Sequence, residues 1–125
     1  MPKPGGTIQT LDDYAAGAAT TAQYPRTKSD LDNSANIDLL YLALGLTGEA
    51  GELANKVKKI VREQAGKATP EQLANLADEA GDVLWYVSEL ATACGTTLEA
   101  VAQANLDKLA SRKARGVIGG SGDNR

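Results

Sequence analysis

Two tetrapeptides of nearly the same sequence, Glu49-Ala50-Gly51-Glu52 and Glu79-Ala80-Gly81-Asp82, carry the side chains best suited to chemistry. Each lies in a stretch with helical periodicity, and acidic residues three apart on a helix are surface neighbours. Each tetrapeptide therefore offers a pair of carboxylates. Two such pairs facing each other concentrate negative charge that cations must meet, and Mg²⁺ or Mn²⁺ take oxygen ligands. A single E-x-x-E on a helix is ordinarily solvated charge. Here the motif recurs with glycine at the same phase, which favours a built site. A glycine inside a helix costs about 1 kcal/mol relative to alanine. Close approach of a helix or ligand at Gly51 and Gly81 is the expected compensation.

Cationic candidates are fewer. Lys56 follows Glu52 by four residues, the spacing of a helix-surface ion pair. Leu98, Val101, Asn105, Lys108 and Arg112 follow one another along one helix face that begins apolar and ends cationic. Cations are favoured at a helix C-terminus by its dipole. Beside a four-carboxylate metal site, the same groups become natural ligands for phosphate oxygens. The ending Gly119-Gly120-Ser121-Gly122-Asp123-Asn124-Arg125 offers backbone amides that cradle anions in some loops, and equally reads as a loose terminus.

Composition excludes much else. The chain has 125 residues and no histidine, so a Ser-His-Asp triad, a Cys-His dyad and a His-ligated zinc are all ruled out. A di-iron site on Glu-x-x-His motifs is disfavoured for the same reason. Carboxylates, lysines, tyrosines and metal-activated water are left for acid–base work. The formal net charge of −3 gives no broad footprint for a nucleic-acid polymer. Cys94 is the single cysteine, which suits a reducing cytoplasm. Met1 to Gly6 lacks the pattern of a signal peptide, and no apolar stretch is long enough for a bilayer.

These residues need helices to position them. Ala and Leu dominate the apolar positions and Phe is absent, which favours helix over sheet. Thr10 and Asp13 predict a capping box opening a short helix from Leu11 to about Ala22. Residues 23–33, with Pro25, read as a loop. A long second helix is expected from Ser34 or Asn36 to about Gln64. Leu39, Leu42, Leu46, Leu53, Val57 and Ile60 share one face of it, and Ile37, Leu40, Tyr41 and Leu44 form a second. A helix apolar on two sides is buried on two sides. In so small a chain the extra face is expected to meet another subunit. Thr69, Pro70 and Gln72 cap a third helix whose core stripe is Leu73, Leu76, Ala80, Val83, Val87 and Leu90, ending at Gly95. Thr96 and Glu99 predict a further capping box for a fourth helix reaching about Arg115. No alternating strand pattern competes. The expectation is one all-α domain over residues 1–125, a bundle of about four helices, with flexible residues 1–6 and a Gly-rich tail at 116–125.

Taken together, the motifs resemble a known family. Gly45-Leu46-x-Gly-Glu49-Ala-Gly-Glu52-Leu53, Glu79-x-Gly-Asp82-Val83-Leu84-Trp85-Tyr86 and Asn105-x-x-Lys108-Leu109-x-x-Arg112 are similar to those of the MazG-like nucleotide pyrophosphohydrolases. That family belongs to the all-α NTP pyrophosphatase superfamily, which also holds dimeric dUTPases. The resemblance runs from about Tyr14 to the C-terminus and is closest to small phage and bacterial members. The family pattern is Glu-Glu-x-x-Glu followed by Glu-x-x-Asp. Gly48 replaces its first Glu here, so any role resting on that acid is in doubt while the other four acids stand.

The resemblance implies that Glu49, Glu52, Glu79 and Asp82 bind two or more Mg²⁺ or Mn²⁺ ions. It implies hydrolysis of a nucleoside triphosphate to the monophosphate and pyrophosphate, by a dimer or tetramer. A triphosphate and four carboxylates, each with about four negative charges, would repel without divalent ions between them. Lys108 and Arg112, with Asn105 and Lys56, become candidates for holding substrate. One acid takes the water's proton, with Glu49 a candidate the residues do not single out. Tyr14, Tyr24, Asn36, Asp38, Tyr41 and Trp85 are candidates for the base pocket, although core or interface packing is the commoner fate of residues such as Tyr41 and Trp85. The base stays open, with a lean to dGTP or GTP. The competing readings are a dUTP- or diphosphate-specific hydrolase and a non-catalytic helical module that forms oligomers.

Overall fold

The computed structural model describes residues 5–24 and 34–122, the side chains of 34–37 excepted. It contains four helices: α1 (Leu11–Ala19), α2 (Ser34–Gln64), α3 (Pro70–Ala93) and α4 (Leu98–Ala114). Among the described residues there is no strand. The all-α expectation holds.

Local chemistry sets the helix ends. Thr10 and Asp13 form the expected reciprocal box, with the Asp13 amide donating to Thr10 Oγ1 at 3.0 Å and the Thr10 amide donating to Asp13 Oδ2 at 3.1 Å. α1 stops three residues before Ala22. There the Thr20 and Thr21 hydroxyls donate back to the Gly17 and Ala18 carbonyls, and the backbone tightens into three-residue turns. Residues 25–33 of the expected loop lie outside the described part. α2 ends where Ala65 (φ 53°) and Gly66 (φ 80°) turn left-handed. α3 opens with the Thr69–Gln72 box and Pro70 as expected.

The start of α4 differs from expectation. The Thr96 amide donates to the Ala91 carbonyl and so closes α3. The cap therefore moves to Thr97, whose Oγ1 accepts from the Ala100 amide at 3.1 Å. Ala100 stands where a reciprocating Glu would have to be, so the expected Thr96–Glu99 box does not form.

α2 and α3 form an antiparallel hairpin. The contacts Gly45–Tyr86, Lys56–Glu79 and Gln64–Gln72 run in opposite order along the two helices. α1 and α4 pack on α3 and on each other, and among the described residues neither packs on α2. The Trp85 indole N–H ties α1 down, donating to Thr21 Oγ1 at 2.9 Å and to the Ala18 carbonyl at 3.2 Å.

This three-sided cover of α3 leaves α2 poorly covered. Leu42 and Ile60 are buried as expected, whereas Val57 from the same stripe is exposed. Leu73 and Ala80 of the α3 stripe are exposed too. Helical phase orders residues around an axis, but it does not say how far the neighbouring helix extends over them. On the second α2 face, Leu40 and Leu44 are 61% and 65% exposed and Tyr41 is exposed beside them. The side chain of Ile37 lies outside the described part.

Candidate active site

The hairpin brings the two acidic motifs together, but not symmetrically. Carboxylate oxygens of Glu49, Glu79 and Asp82 all lie within 4.8 Å of one another. Glu79 is buried, at 8% exposure, while Glu49 is partly exposed and Asp82 faces solvent. Glu52 is exposed and stands outside this group of three. Its charge is still felt there. Burial first, and then Glu52, Asp82 and Glu79, push the Glu49 carboxyl above its ordinary range.

Lys56 does not make the helix-surface pair with Glu52 suggested by their spacing. It reaches across the hairpin and pairs with Glu79 Oε1. A buried carboxylate without a cation is costly, so the interhelical partner wins over the exposed one on the same helix. The hydrogen bond to Glu79, followed by the fields of Glu79, Glu52 and Asp78, raises the Lys56 pKa. The second oxygen of Glu79, Oε2, is buried and accepts no hydrogen bond. An unpartnered buried carboxylate oxygen within an all-oxygen cluster fits a hard divalent cation. Glu49, Glu79 and Asp82 are the residues that would hold it.

The glycines behave differently from expectation. A Cβ placed on Gly51 or Gly81 would meet nothing within 4 Å among the described residues, so neither permits a close approach there. Gly45 does. A Cβ there would overlap the Tyr86 ring and come 2.8 Å from its hydroxyl oxygen. The bare backbone of α2 at Gly45 is thus the bed on which Tyr86 lies. The signal was present in the sequence, because Tyr86 follows Asp82 by one helical turn.

Beside the acids lies a cavity of about 330 Å³, lined by Thr21, Gln23, Tyr24, Tyr41, Glu49, Asp82, Trp85 and Tyr86. Tyr24 and Tyr41 stack with ring centroids 5.7 Å apart and planes 25° apart. Trp85 stands edge-on to Tyr24 at 6.4 Å and to Tyr86 at 4.9 Å. Glu49 and Asp82 therefore belong both to the acidic cluster and to the wall of an aromatic cavity. Burial, then Tyr41, Glu49 and Asp82, raise the Tyr86 phenol, so it stays protonated at neutral pH as a donor.

The base-pocket candidates divide. Tyr24, Tyr41 and Trp85 line the cavity; Asp38 does not. Tyr14 is not in the lining either; burial, then Asp82 and Glu89, raise its phenol. The side chain of Asn36 lies outside the described part. Tyr86, Thr21 and Gln23 join the cavity without having been singled out.

The α4 candidates line neither cavity nor cluster. Asn105 and Lys108 are exposed, whereas Arg112 is 5% exposed and its carbonyl accepts the Val117 amide at 2.9 Å. Arg112, at the cationic end of that face, is thus buried rather than solvated. Of the Gly-rich ending, residues 119–122 are described and include a turn in which the Gly120 amide donates to the Val117 carbonyl at 3.2 Å. Residues 123–125 lie outside the described part.

Comparison with known proteins identifies the family of this chain. The model of the MazG nucleotide pyrophosphohydrolase domain matches residues 38–117. That span holds both acidic motifs, Tyr41, Trp85, Tyr86 and the α4 cations. The chain is also 50% identical over 115 residues to the Gene 37 protein of Mycobacterium phage L5, covering 92% of this chain and 98% of that protein. No solved structure matches. The chain belongs to the MazG nucleotide pyrophosphohydrolase domain family. Among the described residues no helix is long and apolar enough to cross a membrane.

Proposed function

We propose that this chain is a metal-dependent nucleoside triphosphate pyrophosphohydrolase. It converts a (d)NTP and water to the (d)NMP and pyrophosphate, with guanine nucleotides the first substrates to test. The observation that carries this reading is the sharing of Glu49 and Asp82 between a three-carboxylate cluster and an aromatic cavity. A nucleotide has that same polarity, with an anionic tail at one end and a flat base at the other.

Glu49, Glu79 and Asp82 hold Mg²⁺ or Mn²⁺, and Glu52 extends the set toward solvent. The bound cations supply charge neutralisation of the phosphates and a more acidic water. Glu49, which borders both the carboxylate cluster and the cavity, takes the proton of the attacking water. Lys56 pairs with Glu79; with divalent cations held by Glu49, Glu79 and Asp82, its ammonium would be available to substrate phosphate. Tyr24, Tyr41 and Trp85 grip the base, and Tyr86 offers its hydroxyl to the sugar or phosphate. Lys108, Arg112 and Asn105 act on the phosphate tail.

The whole chain acts as one domain in the cytoplasm of a bacterium or of a phage-infected host. It works as a homodimer or homotetramer. The exposed Leu40, Tyr41 and Leu44 on α2 support that assembly. Light scattering is expected to give a multiple of the chain mass, and a monodisperse monomer would refute the assembly.

The test is pyrophosphate release with Mg²⁺ and Mn²⁺ across canonical NTPs, dNTPs, dUTP and the corresponding diphosphates, with Asp82→Asn as control. Release lost in the variant is the expected result. Preference for dUTP or for diphosphates would shift the substrate within the superfamily. No release from any nucleotide by folded protein would favour the non-catalytic module.

A further inference from the structure

Glu89 plays no part in the chemistry above, yet it is 1% exposed. It lies two helical turns beyond Asp82 on α3, about 10 Å further along the axis. A carboxylate that deep needs strong hydrogen bonds to remain there. One of them is with Tyr24, whose hydroxyl donates to Glu89 Oε2 at 2.7 Å. Tyr24 is itself buried, lines the cavity, stacks on Tyr41 and meets Trp85 edge-on. Glu89 does not line the cavity; it stands behind the aromatic wall.

We propose that Glu89 is a positioning residue for base recognition. Through the Tyr24 hydroxyl it holds the segment after α1 against α3, and so fixes the plane of the Tyr24–Tyr41 stack against which a flat base rests. This rests on the nucleotide reading above. An aromatic ring with two torsions grips a base only when its plane is held before binding, and the charged hydrogen bond supplies that hold. Among the described residues α1 packs on α3 and α4 and not on α2, so the segment after it is carried on the α3 side and meets α2 through the Tyr41 ring.

Glu89→Gln keeps the size of the side chain, and Tyr24→Phe keeps the ring while removing the donor. Each is expected to raise the KM for the preferred nucleotide about tenfold, the scale of one lost hydrogen bond to a charged group. The kcat should stay within about twofold, since a uniform binding contribution is lost. The ranking among bases should flatten. Inhibition by inorganic triphosphate, which has no base, and Mn²⁺ affinity should not move. The double variant should be no worse than the worse single one, because one removes the acceptor's charge and the other the donor of the same bond. Should Glu89→Gln fail to fold by circular dichroism, Tyr24→Phe tests the same bond from the other side.

An unchanged KM overturns the proposal, as does a fall in kcat at constant KM, or a parallel loss of triphosphate inhibition. Trp85 is the sole tryptophan, so its fluorescence reports nucleotide binding without turnover. If wild-type protein hydrolyses nothing but quenches with a nucleoside monophosphate, the activity falls and the quenching constants of the variants decide the role of Glu89. Absence of quenching by any nucleotide overturns the proposal as well.

Discussion

The two acidic tetrapeptides differ little in sequence and much in surroundings. On α3, Glu79 is buried, paired with Lys56 and left with one unpartnered oxygen. On α2, Glu52 is exposed and outside the three-carboxylate group. The reason is the packing of the helices. Among the helices described, α3 is covered by α1, α2 and α4, whereas α2 packs on α3 and not on α1 or α4. The same motif becomes an anchored half on the central helix and a solvent-facing half on the peripheral one. Charge in the anchored half is held in place by Lys56. In the outer half, burial first and then the charge of Glu52 raise the Glu49 carboxyl.

The largest expected effect tests that asymmetry directly. Asp82→Asn and Glu79→Gln should each lower pyrophosphate release by at least about 100-fold, at the upper end of what a lost supporting residue costs in a metal site. Glu52→Gln should cost about tenfold or less. Equal losses at Glu52 and Glu79 would break the comparison. Calorimetric Mn²⁺ titration of the same variants should rank them in the same order.

Stability gives the next contrast. Gly45→Ala should lower stability by about 1–3 kcal/mol, because its Cβ overlaps the Tyr86 ring. Gly51→Ala and Gly81→Ala should each gain about 1 kcal/mol from helix propensity, since their surroundings are open. Thermal unfolding measures both. A stabilised but inactive Gly51→Ala protein would show that substrate or a neighbouring copy needs that space.

Lys56→Met should tighten Mn²⁺ binding modestly, because it removes a competing cation from Glu79, while raising KM for the nucleotide. Weaker Mn²⁺ binding would show that Lys56 instead orders the site.

The smallest effects are those of pH on metal-free protein. Glu49 is raised above its ordinary value of 4.5, so its contribution to stability is present below that value and is lost as pH rises through the folded pKa. Glu49→Gln should flatten the melting temperature across that window. Asp13 has the opposite sign. Hydrogen bonds from the Gln9 and Thr10 amides hold it below its ordinary 3.8. Its support of α1 is present above that value and fades as pH falls through the folded pKa. Trp85 fluorescence should report that loosening, since its indole is bonded to the end of α1.

Much of this was legible before any coordinates. Thr10–Asp13, Thr69–Gln72 and Pro70 mark helix starts through bonds made within one turn, and such bonds need no tertiary partner. That the two acidic motifs meet follows from phase on two helices joined by a short connection, although phase also put Glu52 with Glu49, Glu79 and Asp82, which the structure groups without it. The ion pair of Lys56 was not legible, because the choice between Glu52 and Glu79 depends on burial, which only the packed hairpin creates. The roles of the glycines were not legible either. An open and a crowded glycine look alike until a neighbour such as Tyr86 is placed. Glu89 gave no local signal, since its partner Tyr24 lies 65 residues away.

By itself, then, the sequence determined the four helices, the caps that open α1 and α3 and the pairing of two acidic motifs on one hairpin, because each rests on bonds or periodicity within a few turns. The tertiary structure alone decided which acid is buried, which glycine is needed, where Lys56 goes and how Tyr24, Tyr41, Trp85 and Tyr86 form a cavity beside the carboxylates. Those outcomes depend on burial and on contacts between residues distant in the chain, and such quantities do not exist until the helices are packed.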